Sequence, residues 1–311
     1  MPRSLAFEIL SAIASAAHRS SHGHDDAPDE ERDFDVAPFD SIQIAGPMDV
    51  AVRTGSKSTV TANGPAWALD GLRVEVEGTG LFIGCHGDCE DVSMEVTVPS
   101  LRALRMGGPG DVSVDRIAGA EFECASRGSG DLSIDELEAE QVKISMSGSG
   151  DLGVDAVRSA GLDVTMMGSG DTTIGEIESA EFTLTMSGSG DTQIDEYRGE
   201  RMDASLTGSG DLSIDSLEAA TVKLSLFGSG DASVGGGKAK SGTFQTSGSG
   251  DISAEQMDVK EASIAVHGSG DISAQVSGNA DINVMGSGDV SVTGGADCSI
   301  NGAGSGEVRC S

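Results

Sequence analysis

The sequence predicts an all-β chain wound as a single-stranded parallel β-solenoid with coils of about 20 residues. Three observations carry that prediction. A four-residue corner, Gly128-Ser129-Gly130-Asp131, returns from Gly148, Gly168, Gly188, Gly208, Gly228, Gly248 and Gly268, each twenty residues after the last. Between corners the apolar residues alternate with polar ones in short runs, which is the strand period of two. Glycine is abundant at 45 residues while aromatics make up 3%, so the corners are tight and the core is narrow and aliphatic. Two steps of eighteen extend the array to Gly286 and Gly304, where the acid is Glu307, and a degenerate copy, Gly108-Pro109-Gly110-Asp111, precedes it.

The segment from Asp131 to Gly150 justifies the elements within one coil. Inward residues are even-numbered up to Ile134, odd at Leu137 and Ala139, and even again from Val142. A strand changes its inward parity only at a bend or bulge. Corners therefore fall near Asp135-Glu136 and Glu140-Gln141, and Gly-Ser-Gly supplies the third. Stacking puts Ile134, Val154, Ile174, Ile194, Ile214, Val234, Ala254, Ala274 and Val292 in one inner column. A second runs Val142, Leu162, Phe182, Met202, Val222, Gly242 and Ala262. About thirteen coils spaced by about 4.8 Å would make a rod of about 60 Å.

The net charge of −32 and pI of about 4.2 argue against nucleic acid or anionic membrane as direct partners. They fit a strongly hydrated surface or one that collects cations. No stretch is long and apolar enough to span a membrane as a helix.

In chain order, residues 1–33 read as a tail or weak leader. Leu5 to Leu10 is a short apolar run interrupted by Glu8 and followed by small residues, so a signal sequence and an ordinary N-terminus remain alternatives. His22, His24 and Asp25 could hold a transition metal or belong to a solvated linker. Residues 34–106 read as irregular β coils with a cap. There Gly46-Pro47-Met48-Asp49 resembles a forerunner of the later corner, and Trp67 is expected to cover the open end of the core. Cys85 and Cys89, with His86 between them, lack the second pair of ligands a zinc site needs, and are either a disulfide across a turn or free thiols. Residues 107–311 are the regular array. Cys124 falls in the Ile144 column and should be buried. Cys298 and Cys310 fall in two inner columns of the last coils and either pair as a disulfide or stay reduced.

The segments FDSIQIAGPMDVAV and VTVPSLRALRMGGPGDVSV, with the recurring corners, resemble the bacterial auto-transporter adhesin, head GIN domain family, a domain of unknown function. The resemblance runs from about Phe34 to Ser311. It implies a right-handed β-helix-like fold, export to the periplasm or cell surface, and no catalytic residues.

The acid column is the most suggestive chemical feature. Asp111, Asp131, Asp151, Asp171, Asp191, Asp211, Asp231, Asp251, Asp271, Asp289 and Glu307 recur at one outward corner position. Unit charges about 4.8 Å apart in water repel by about 0.9 kcal/mol per neighbouring pair, so something should offset the cost. Either the carboxylates accept backbone N–H bonds and fix the corner, as in Asx turns, or those from Asp131 to Asp289 coordinate Ca²⁺.

Catalysis finds little support. Polysaccharide-active β-helices need a unique cluster of carboxylates or basic groups in expanded loops. Here the coils are nearly identical, the Lys238-Ala239-Lys240 departure brings no partner set, and His267 is expected as an exposed substitution in a Ser/Thr column. The sequence therefore reads as a non-enzymatic envelope or surface scaffold without cofactor, binding an unidentified ligand, glycan or protein. The alternatives are a Ca²⁺-binding structural scaffold and, with less support, a polysaccharide-active β-helix.

Overall fold

The computed structural model describes residues 28–311. The apolar run at Leu5–Leu10 and the group His22, His24 and Asp25 lie outside the described residues. Of the described chain, 72% is strand and 1% helix, arranged as a parallel β-solenoid of about 10 turns. The expectation of thirteen coils was too high because part of the N-terminal sequence forms antiparallel strands instead.

The chain divides into two compact units: residues up to Ala139 together with Ser149–Ala156, and Glu140–Gly148 together with Val157–Ser311. Two strands, β10 (Leu132–Gly148) and β11 (Leu152–Gly168), are divided between them.

In the first unit, β2 (Ser41–Ala45) and β3 (Asp49–Thr54) are separated by the Gly46-Pro47-Met48 corner. In parallel, β2 pairs with β6 (Gly80–Cys85) and β8 (Ala103–Gly108), while β3 pairs with β7 (Ser93–Val98) and β9 (Val112–Gly128). The long β9 also pairs with β8, so one strand bends through two faces of a coil. Antiparallel strands flank this start: β5 (Leu72–Glu77) on β6, and β4 (Thr59–Pro65) between β7 and β1 (Asp29–Phe34). The first strand among the described residues thus starts at Asp29, ahead of the β structure expected from residue 34. Arg32 anchors β1 by donating to the Leu69 carbonyl at 2.9 Å and to Asp70 at 2.8 Å. Trp67 sits on the one-turn helix α1 (Ala66–Leu69), where Ala68 and Leu69 are buried and Trp67 is half-buried.

The second unit is parallel throughout. Its strands are β12 (Thr172–Gly188), β13 (Thr192–Gly208), β14 (Leu212–Gly228), β15 (Ala232–Val234), β16 (Gly237–Thr246), β17 (Ile252–Val266), β18 (Ile272–Val284), β19 (Val290–Thr293), β20 (Asp297–Gly302) and β21 (Val308–Cys310). Ile174 stands over Ile194 and Phe182 over Met202, and the register skips only the pairs 175/195 and 180/200. Those skips are the two bends read from the parity breaks. The step of eighteen is accommodated at both of them: the β17–β18 register shifts between Ala254 and Asp258 and again between Val259 and Glu261.

Both inner columns are buried. Large residues alternate with small ones to keep the interior filled. Phe244 sits beside Gly242, where an added Cβ would come within 2.9 Å of the ring. Tyr197, fully buried, lies 5.7 Å from the Phe182 ring and occupies space left by Gly199.

Candidate functional site

The recurring corner is built from backbone that leaves no room for side chains. Gly208 takes φ 131°, and a Cβ there would overlap the Gly188 carbonyl of the preceding coil. A Cβ at Gly210 would likewise overlap the Gly190 carbonyl. The serine between them donates its N–H to the coil below, Ser209 to the Gly188 oxygen at 2.9 Å.

The aspartate that follows solves a hydrogen-bonding problem. The Asp211 carbonyl accepts from Thr192 at 2.8 Å, so it points toward the preceding coil. The Asp211 N–H points the same way, as the N–H and C=O of one residue do in extended chain. The Asp191 carbonyl, turned in the same sense, is not available to it. The Asp191 carboxylate supplies the acceptor instead, with Oδ1 at 2.9 Å from the Asp211 nitrogen. A buried or stacked N–H left without an acceptor is costly, and an ionised acceptor makes a stronger bond than a neutral one.

This contact repeats. In the first unit it links Asp111 to Asp49 at 3.0 Å, Asp131 to Asp111 at 2.8 Å and Asp151 to Asp131 at 2.8 Å. In the second it runs from Asp191 on Asp171 to Glu307 on Asp289, with distances from 2.7 to 2.9 Å. The carboxylate therefore serves the amide of the next coil, not its own turn as an Asx turn would. Asp49 is the founding member, which the resemblance of Gly46-Pro47-Met48-Asp49 to the corner had signalled. Glu307 behaves differently: Arg309 donates to its two oxygens at 3.2 and 2.7 Å.

A second acid set lies four residues on and escaped the sequence reading. Asp115 accepts from the Thr54 N–H at 2.9 Å and from the Arg116 N–H at 2.6 Å. Burial pushes the Asp135 carboxyl up from its usual range. Arg53 offsets part of that, and Asp115 and Glu136 add to it. Burial, with Asp135 as neighbour, does the same to Asp155. Asp111 and Asp131 are also raised. The corner strips part of their hydration, the amide bond from the next coil opposes the shift, and neighbouring carboxylates reinforce it.

Among the described residues, no group of three or more His, Cys, Asp or Glu is placed to hold one metal ion. The carboxylates from Asp131 to Asp289 are strung out singly, one per coil. His267 is half-buried, not exposed as expected, and its Nε2 is shielded from solvent without a protein partner. Lys238 pairs with Glu218 of the preceding coil at 3.1 Å. Disulfides join Cys85 to Cys89 and Cys298 to Cys310. Cys298 is half-buried and Cys310 exposed. Cys124 is a buried free thiol. No helix among the described residues is long and apolar enough to cross a membrane.

The family model described as "Putative auto-transporter adhesin, head GIN domain" matches residues 38–213 and 193–296. Similar solved structures include a "putative lipid binding protein" from Parabacteroides distasonis ATCC 8503, 19% identical, with 92% of this chain and 98% of that chain covered and a TM-score of 0.40. A "putative adhesin" from Bacteroides fragilis NCTC 9343 is 16% identical, with 91% and 97% covered and a TM-score of 0.35. Another from Parabacteroides distasonis is 19% identical, with 92% and 98% covered and a TM-score of 0.37. No curated protein matches the chain.

Proposed function

The chain belongs to the auto-transporter adhesin, head GIN domain family, and from that premise we propose that it is an exported scaffold that binds a surface ligand, glycan or protein, through the outward side chains of its coils. Family membership supports, in general terms, a surface protein without enzymatic activity. One observation carries the finer reading. The repeated acid is engaged between coils, Oδ1 to amide, so the conserved-looking corner is architecture. What varies from coil to coil is the set of exposed side chains. A constant frame with variable outward positions suits recognition over an extended surface.

In-register removal of whole coils tests it. Deleting residues 191–210 joins Gly190 to Asp211 and keeps the corner pattern. Binding to immobilised mucin glycans and matrix proteins should fall gradually as one, two and three coils are removed. Complete loss on removal of a single coil, or release of shortened sugars from a polysaccharide, would overturn the reading.

A calcium-bound scaffold is the second reading. It is favoured by the stacking of one carboxylate per coil: burial is the main cause of the raised carboxyls of Asp111 and Asp131, and the neighbouring carboxylates add a repulsion that a cation would relieve. Thermal melts in Ca²⁺, Mg²⁺ and chelator separate the two. A ligand that binds the folded state alone raises Tm with its concentration. A large Ca²⁺-selective rise supports the second reading, and a small rise equal for both ions and abolished by salt supports the first.

A further inference from the structure

The first unit carries a trough on the outward face of β5, β6, β2 and β8. The strand β6 reads Gly80-Leu81-Phe82-Ile83-Gly84, with Leu81 and Ile83 buried. Its outward positions are therefore glycine, phenylalanine, glycine. On either side the register sets one row across four strands: Glu75 opposite Phe82, Phe82 opposite Gln43, and Gln43 opposite Arg105. Without a side chain at Gly80, the sheet surface dips beside Phe82 and a cavity of about 350 Å³ opens. That volume lies at the lower end of the range for small-molecule sites, about 300–1,000 Å³. The Phe82 ring leans over Gly84, where a Cβ would come within 2.7 Å of its Cε1. Gly80 has space above it, since a Cβ there would meet nothing closer than 3.5 Å.

The chemistry of the walls selects a ligand class. Arg73 lies over the Phe82 ring at 5.4 Å and donates to Glu75 at 2.6 Å. That bond holds the Glu75 carboxyl below its usual range, so both groups stay charged. Arg105 faces the trough from the other side. With Glu77, the four charges of the lining cancel. In a chain of net charge −32 this is a locally neutral site. An anion would meet Glu75 and Glu77, and a cation would meet two guanidinium groups. A neutral ligand with adjacent hydroxyls fits both. Guanidinium groups donate, carboxylates accept, and the Gln43 amide does each at one point. Phe82, with Arg73 over its ring, adds an apolar flank for the C–H groups of a sugar ring.

We propose that this trough binds a neutral pyranose saccharide of one or two units, held by Glu75, Arg105 and Gln43 over Gly80 and beside the Phe82 ring. The proposal deepens the surface-ligand reading and rests on it.

The test uses the full chain with maltose, cellobiose, lactose and N,N′-diacetylchitobiose, followed by saturation-transfer NMR and calorimetry. Inorganic phosphate and phosphocholine serve as charged probes. At least one neutral disaccharide should bind, with Kd on the order of 1 mM. Glu75→Gln should weaken it about tenfold, the loss of roughly one good polar contact. Gly80→Ile should abolish it, because the side chain fills the trough while the strand tolerates it and the melting temperature stays unchanged. Deletion of residues 191–210 should leave sugar binding intact, since the trough lies in the other unit. The proposal is overturned if no neutral sugar binds, if binding survives Gly80→Ile, or if phosphate or phosphocholine binds and the sugars do not. If adhesion falls with coil deletion while the trough variants change nothing, the trough fails and the scaffold reading stands.

Discussion

The amide of Asp271 donates to Oδ1 of Asp251 at 2.7 Å, so each aspartate in this column is both a donor through its backbone and an acceptor through its side chain. Asp251 repeats the arrangement on Asp231 at 2.8 Å. Replacing Asp251 by Ala should destabilise the protein by about 1–2 kcal/mol, because the Asp271 amide loses a charge-assisted acceptor. Asp251→Asn keeps an oxygen in place and relieves like-charge repulsion, so its cost should be smaller. Urea unfolding of both variants checks this, and equal losses would mean that charge, not the acceptor, is what matters.

Acidification should stabilise the fold over a limited window. The carboxyls of Asp111, Asp131, Asp135 and Asp155 are raised above the ordinary 3.8 chiefly by burial. The folded state then binds more protons than the unfolded one between the ordinary value and the raised ones. Stability falls as pH rises through that window and is lowest above it. Melting temperature should therefore rise as pH is lowered from 7 toward 4.5. A flat or falling series would contradict these shifts.

Tyr197 and Gly199 should behave as a coupled pair. The Tyr197 hydroxyl lies 2.6 Å from the Arg201 carbonyl and 3.1 Å from that of Ser179, and a Cβ on Gly199 would strike both the hydroxyl and the Ser179 oxygen. Gly199→Ala should cost about 1–3 kcal/mol by overpacking. Combining it with Tyr197→Leu recreates the Leu217/Ala219 pair of the next coil, so the double variant should be more stable than Gly199→Ala alone. A double-mutant cycle by chemical denaturation measures this coupling.

Cys124 should be inert in the native protein. It is fully buried, and burial pushes its thiol up to about 12. A thiol reagent at pH 8 should modify it only after denaturation, and rapid native labelling would show that the coil opens there.

Reducing the Cys298–Cys310 disulfide should loosen the last strands and leave the others unchanged, since coils contact only their neighbours. Hydrogen exchange should show lost protection confined to about residues 290–311. Loss spread through the second unit would point to global coupling instead.

The coil, its corners and its inner columns were legible because each repeats a local pattern: parity marks the bends, and glycine marks where a carbonyl stacks too closely for a Cβ. The partner of the aspartate was not. Whether the carboxylate serves its own turn or the next coil depends on which way the Asp211 peptide faces, and alternation of residue types does not encode that. β1 fell almost wholly within the residues 1–33 read as a tail, because Asp29-Glu30-Glu31 carries no apolar alternation; pairing with β4 and the Arg32 contacts override that local signal. The trough escaped because Gly80, Phe82 and Gly84 acquire meaning only beside Gln43 and Arg105, residues brought alongside by register.

The contact between Glu307 and Arg309 bears on aggregation. Asp49, Asp111 and Asp131 in the first unit, and the aspartates from Asp171 to Asp289 in the second, each offer an oxygen to an incoming amide, the kind of acceptor through which strands add to one another. At Glu307 the oxygens are already occupied by the guanidinium of the same strand. A further amide would compete with Arg309 for those oxygens, so the hydrogen bond that links coil to coil elsewhere is disfavoured at this copy of the corner.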